Sequence, residues 1–90
     1  MKDGVHIENN RIKNITQTNN SEYYYRVIGK NIKKFRKENR LTQQNLADMT
    51  DLSREYICDI ENEKRNKHLT IKSLGKIAEA LKMNIIDFFK

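Results

Sequence analysis

The side chains best placed for chemistry fall in one stretch, where Thr42, Gln43 and Gln44 are followed by Ser53, Arg54, Glu55, Tyr56 and Asp59. They make no catalytic set, since Ser53, His68 and the nearby carboxylates form no nucleophile–base arrangement. Their types suit recognition of a polyanion instead. An arginine such as Arg54 can grip the edge of a guanine with two hydrogen bonds, and Glu55 or Asp59 can accept from a cytosine amino group. Thr42 and Ser53 are both favoured helix N-caps. Each would open a helix whose first N–H groups point outward, a ready site for backbone phosphate. Only residues 50–52 separate the two helices, so they must cross steeply rather than fold back side by side. Ala47 is small where they come closest, and Leu52, Ile57 and Ile60 pin the second against the first. The start of that second helix then protrudes, with Arg54, Glu55, Cys58 and Asp59 outward, in a form that fits a major groove.

Other helices must hold this pair in place. Ile28, Ile32 and Phe35 recur at helical spacing from Tyr25 onward, with Lys30, Lys33, Lys34 and Lys37 turned away, which predicts a first helix ending near Glu38. Leu46, Ala47 and Thr50 face inward on the second, and Tyr56, Ile57 and Ile60 on the third. Thr70 caps a fourth with Ile71, Leu74, Ile77, Ala78 and Leu81 inward. Asn84, with Asp87 three residues on, opens a short fifth in a capping-box-like pairing. Its Ile85, Phe88 and Phe89 face inward while Ile86 projects. The expected fold is all-α, a compact five-helix domain over residues 25–90.

The chain has 90 residues, no Pro, three Gly and one Cys, and a net charge of +6. A domain of this size buries a small core. Cys58 has no partner for a disulfide within the chain, and with His6 and His68 it falls short of a structural zinc set. No metal, cofactor or small-molecule ligand is expected. No apolar run is long enough to cross a membrane and no signal-peptide core follows Lys2, which points to a cytoplasmic protein. Residues 1–24 carry three basic and three acidic residues, so the whole +6 belongs to residues 25–90. Rich in Asn and thinly apolar, residues 1–24 read as a flexible polar arm. A rival reading is a hairpin that pairs residues 5–7 with 11–15 through Asn9-Asn10.

Taken as a set, Ile28-Gly29, Ile32, Phe35-Arg36, Leu41-Thr42-Gln43, Leu46-Ala47, Ser53, Tyr56-Ile57, Ile60-Glu61, Arg65-Asn66, Leu74, Ile77-Ala78 and Ala80-Leu81 resemble the lambda-repressor-like, Cro-type helix-turn-helix family. The start of the third helix, together with Arg65-Asn66 and residues 70–74, is also similar to the controller proteins of restriction–modification systems. This chain has Asp51 where the family usually has Gly in the turn, and Asp tolerates the left-handed backbone better than most residues.

The resemblance implies a homodimeric, sequence-specific transcriptional regulator that binds double-stranded DNA at a palindromic operator, as a controller protein or a phage-type repressor. The expected DNA contacts are Arg36, Thr42, Gln43, Gln44, Ser53, Arg54, Glu55, Tyr56 and Asp59, with Lys64, Arg65, Asn66 and Lys67 gripping backbone after the third helix. Glu61 is expected to serve structure. Ile85, Ile86, Phe88 and Phe89 are the expected dimer surface. Residues 53–62 carry a net charge of −2, which repels phosphate. That charge keeps open an alternative, a protein-interaction module such as an anti-repressor that kept the fold without DNA binding. An antitoxin-type autoregulator is a further alternative, compatible with DNA binding.

Overall fold

The structure, a computed structural model, describes residues 20–64 and 69–90. Four α-helices and a closing 3-10 helix follow one another, with no strand among the described residues: α1 (Asn20–Glu38), α2 (Gln43–Thr50), α3 (Arg54–Glu61), α4 (Ile71–Leu81) and the 3-10 helix Ile85–Phe89. Of the arm expected over residues 1–24, residues 1–19, and with them the rival hairpin, lie outside the described residues, while residues 20–24 are helical.

Helix α1 begins five residues before Tyr25, where the expected first helix started. Residues 21–24 are all exposed and add nothing to the inward stripe, so apolar spacing could not reveal this turn. Glu22 in the first turn suits the positive end of the helix dipole. Tyr23 and Tyr24 stay exposed, their rings edge to face with centroids 5.3 Å apart. Beyond them Ile28 and Ile32 enter the core, and Phe35 packs against it.

The hydroxyl caps predicted at Thr42, Ser53 and Thr70 are formed, and at the fourth predicted start the Asn84 N–H donates to Asp87 Oδ2 at 3.2 Å. Thr42 Oγ1 accepts from the Asn45 N–H at 2.9 Å, and Asn45 Oδ1 accepts from the Thr42 N–H at 3.0 Å. Ser53 Oγ accepts from the Tyr56 N–H at 2.9 Å and Thr70 Oγ1 from the Ser73 N–H at 3.0 Å. Each cap satisfies a donor that the first turn would leave unpaired, typically worth about 1 kcal/mol. Asp51 does take the left-handed conformation, with φ 58°, and its N–H returns to the Ala47 carbonyl to close α2.

The core gathers Ile28 and Ile32 from α1, Leu46 and Ala47 from α2, and Ile57 and Ile60 from α3. Leu69, Leu74, Ile77, Ala78, Leu81 and Phe88 complete it. Helix α1 packs on α3, α4 and the 3-10 helix, while α2 packs on α3 and α4. Asn31 Nδ2 donates to the Phe88 carbonyl at 2.7 Å, tying the end of the chain to α1.

Two expectations about inward residues are corrected. Ile71 falls on the α4 stripe by spacing but is 71% exposed, because it is the first residue of the helix and sits on an open hollow with Tyr24 and Phe89. The expected fifth α-helix is a 3-10 helix with three residues per turn. That period puts Ile85 and Phe88 on one line and Ile86 and Phe89 on another. Phe88 is therefore fully buried and leaves the expected dimer surface, whereas Phe89, expected inward, is 42% exposed.

Candidate nucleic-acid interface

The N-terminal ends of α2 and α3 carry most of the residues singled out in the sequence. Short elements hold them: α2 and α3 have eight residues each, joined by residues 51–53. Thr50 is buried at the elbow and turns its hydroxyl back to the Leu46 carbonyl at 2.7 Å, so the hinge has no loose polar group there. Ile57 and Ile60 hold the inner face of α3 against the core. What remains outside at its start is Ser53, Arg54 and Glu55, all exposed. Tyr56, Cys58 and Asp59 follow, half-buried along its flank.

A buried ion pair fixes the far end of α3. Arg36 donates from Nε to Glu61 Oε2 at 2.7 Å and from Nη2 to Glu61 Oε1 at 2.9 Å, a two-pronged contact. Its Nη1 donates to the Leu41 carbonyl at 2.6 Å. The hydrogen bond to Glu61 holds the Arg36 guanidinium above the usual arginine range, against the opposing effect of burial. Gln43 joins the same group, its Nε2 donating to Glu61 Oε1 at 3.1 Å. One carboxylate thus ties the end of α1, the loop before α2, the start of α2 and the end of α3 into a unit.

This overturns the expected role of Arg36. The residue is only 7% exposed, and all three nitrogen positions of its guanidinium are engaged inside the protein, so it presents nothing to a phosphate. In the sequence it is one of several positive charges between Lys30 and Arg40, and no local signal announced a partner 25 residues on. Glu61 serves structure, as expected.

The remaining residues divide by what they already hold. Gln43 is half-buried, with its amide oriented by Glu61. Gln44 is exposed, and its Nε2 donates to Asp48 Oδ1 at 2.9 Å one turn along α2. Thr42 and Ser53 are exposed, with their hydroxyls acting as caps. Lys64 is exposed just after α3, where its N–H is held by Asn62 Oδ1 at 2.9 Å. Arg65, Asn66 and Lys67 lie outside the described residues.

A shallow hollow joins these pieces. Gln43 from α2, Cys58 and Glu61 from α3, Asn62, Glu63 and Lys64 after it, and Lys33 from α1 line it together. Lys33 was expected only to face away from the core, and Asn62 was not singled out in the sequence. Lys33 comes from a different helix, and only the packing of α1 on α3 brings it to this edge. Among the described residues no group of three His, Cys, Asp or Glu could hold a metal ion, and no helix is long and apolar enough to cross a membrane.

Comparison with known proteins places this geometry. The family described as "Helix-turn-helix domain" matches residues 29–90. The immunity repressor protein of Bacillus phage phi105 is 41% identical over 58 residues, covering 64% of this chain and 39% of the repressor. The chain thus spans well under half of that relative's length. Control protein C.MunI of Mycoplasma sp is 39% identical over 63 residues, 69% of this chain and 82% of the relative. Among solved structures, C.Esp1396I bound to a 19 base pair DNA duplex aligns with a TM-score of 0.66 at 37% identity, over 74% of this chain and 87% of that one. The restriction-modification controller protein C.AhdI of Aeromonas hydrophila, at 23% identity and a TM-score of 0.67, shows the shared fold.

Proposed function

The chain belongs to the helix-turn-helix domain family, and from that premise we propose that it regulates transcription by binding double-stranded DNA as a homodimer at a palindromic operator. It would work in the cytoplasm. The observation that carries this reading is the packed pair of capped helices α2 and α3, with Arg54 and Glu55 exposed at the start of α3. Each helix N-terminus favours phosphate, and the exposed start of α3 is free to enter a major groove. In this arrangement Arg54 reads a base, and Glu55 and Asp59 accept from base amino groups. Thr42, Gln43, Gln44, Ser53 and Tyr56 flank the backbone, and Lys64, Arg65, Asn66 and Lys67 hold phosphate beyond α3. The relatives support the reading, since one is a repressor by name and C.Esp1396I was solved on a DNA duplex.

The second copy docks on the face around the 3-10 helix. Ile86, 67% exposed, edges one hollow with Met83 and Ile85, and Phe89 edges another with Tyr24 and Ile71. Pairing this face about a two-fold axis covers both copies of each residue at once. It also sets two α3 helices to read half-sites about one helical turn, roughly 34–36 Å, apart.

A mobility-shift titration on the gene's own upstream region tests the function. Binding that saturates there, resists competitor DNA and weakens with salt is expected. Failure to bind that region or any site selected from random duplexes overturns the reading in favour of a protein-interaction module.

A further inference from the structure

The net charge of the chain lies almost entirely on one helix face. Residues 26–37 contain six basic residues and no acidic one, while residues 38–90 hold nine of each and residues 1–25 three of each. Arg36 is turned inward to Glu61. The other five, Arg26, Lys30, Lys33, Lys34 and Lys37, are all exposed. At 3.6 residues per turn, they fall within about a third of the circumference of α1 and run about 16 Å along it. Lys34 sits 5.4 Å from the centre of the Phe35 ring. Among the described residues the ion pairs are Arg36–Glu61 and Lys90–Asp87, so no described carboxylate pairs with this stripe. Glu61 and Glu63 edge the hollow beside Lys30, Lys33, Lys34 and Lys37, but Glu61 is already bound to Arg36.

Helix α3 has the opposite balance. Its sequence sets Arg54 against Glu55, Asp59 and Glu61. A reading helix with that charge can choose among bases but adds no attraction to a phosphate backbone. Affinity for a duplex, which carries one negative charge per about 1.7 Å of its axis, must come from elsewhere on the surface. Helix α1 supplies it beside the pair, because Lys33 and Lys64 line one hollow with Gln43, Cys58 and Asn62, where Glu61 is neutralised by Arg36 and Glu63 is the remaining carboxylate.

We propose that the exposed stripe Arg26–Lys30–Lys33–Lys34–Lys37 is a second phosphate-binding track, continuous through Lys33 with the α2–α3 interface, which grips the backbone of the same duplex that α3 reads. The division of labour is between elements: α1 holds, and α3 discriminates. This rests on the proposed function, and it names a surface outside the helix-turn-helix pair.

The test compares the wild-type chain with the triple variant Arg26→Gln, Lys30→Gln, Lys37→Gln, and with the charge-keeping variant Arg26→Lys, Lys30→Arg, Lys37→Arg. The probe is a duplex of about 40 base pairs, roughly four helical turns, centred on the site that the wild-type chain selects from a randomised library. Every phosphate that a variant no longer neutralises should reduce the steepness of log Kd against log salt by about 0.9. A fall of about 2–3 per subunit, about 5 for the bound dimer, is expected for the Gln variant and none for the charge-keeping one, with helical circular dichroism unchanged in both. Ethylation-interference mapping should show a contiguous run of phosphates that matter to the wild type and no longer matter to the Gln variant. An unchanged salt dependence, or an unchanged interference map, overturns the track and assigns the stripe to solvent or to an acidic protein. If the wild-type chain selects no duplex at all, the proposed function itself fails, an outcome distinct from losing the track alone.

Discussion

The α2–α3 pair and the 3-10 helix face the same problem, since both are short elements carrying large apolar residues, and they reach opposite outcomes. In the pair, Leu46, Ala47, Ile57 and Ile60 are all buried, both helices are capped, and the Arg36–Glu61–Gln43 group locks the ends. The 3-10 helix buries Phe88 and leaves Ile86 in the open and Phe89 exposed beside Ile71. A closed unit can present polar residues in fixed positions, whereas an open one still has apolar surface to bury. The contrast separates the part of the molecule built to hold a shape from the part suited to meet a second copy.

The largest effects should come from breaking the closed side. Arg36→Ala leaves the Glu61 carboxylate buried without its partner, and should cost about 3–5 kcal/mol in chemical denaturation. Replacing both, Arg36→Met with Glu61→Leu, should recover much of that loss, because no charge is then stranded. A cost below about 1 kcal/mol for Arg36→Ala would show that the ion pair does not close the unit.

Next comes a comparison within the 3-10 helix itself. Phe88→Ala removes a fully buried ring and should cost about 3–5 kcal/mol, while Phe89→Ala one residue away should cost about 1 kcal/mol or less in the monomer. Equal losses would mean that the two lines of the 3-10 period are not segregated as inside and outside.

Arg54→Ala tests the presented face. Thermal stability should shift little, but operator affinity should fall by about 1–3 kcal/mol with relaxed preference at one base position, as read by competition with single-base variants. An equal loss on every sequence would reassign Arg54 to the backbone.

The smallest effect on folding is expected from Ile86→Asp. Stability of the monomer should change by about 0.5 kcal/mol or less, since the side chain already faces water. Sedimentation should move towards monomer, and operator binding should weaken with it. A variant that remains dimeric places the interface elsewhere, on α4 or on the surface of α1.

The sequence by itself determined the all-α class and the order of the helices. It also determined the caps at Thr42, Ser53 and Thr70, the left-handed Asp51 and the exposed start of α3. These follow from local rules: a cap needs only a hydroxyl and an N–H three residues on, and an amphipathic stripe needs only its own spacing. Tertiary structure alone decided the fate of Arg36, the exposure of Ile71 and Phe89, and the arrival of Lys33 at the α2–α3 edge. Each of these depends on what another element brings alongside. Arg36 is buried because Glu61, 25 residues away, offers two oxygens to its planar fork, a match that no window along the chain contains. The split between Phe88 and Phe89 turned on about three residues per turn rather than about 3.6, a choice made by how the segment docks on α1 and α4.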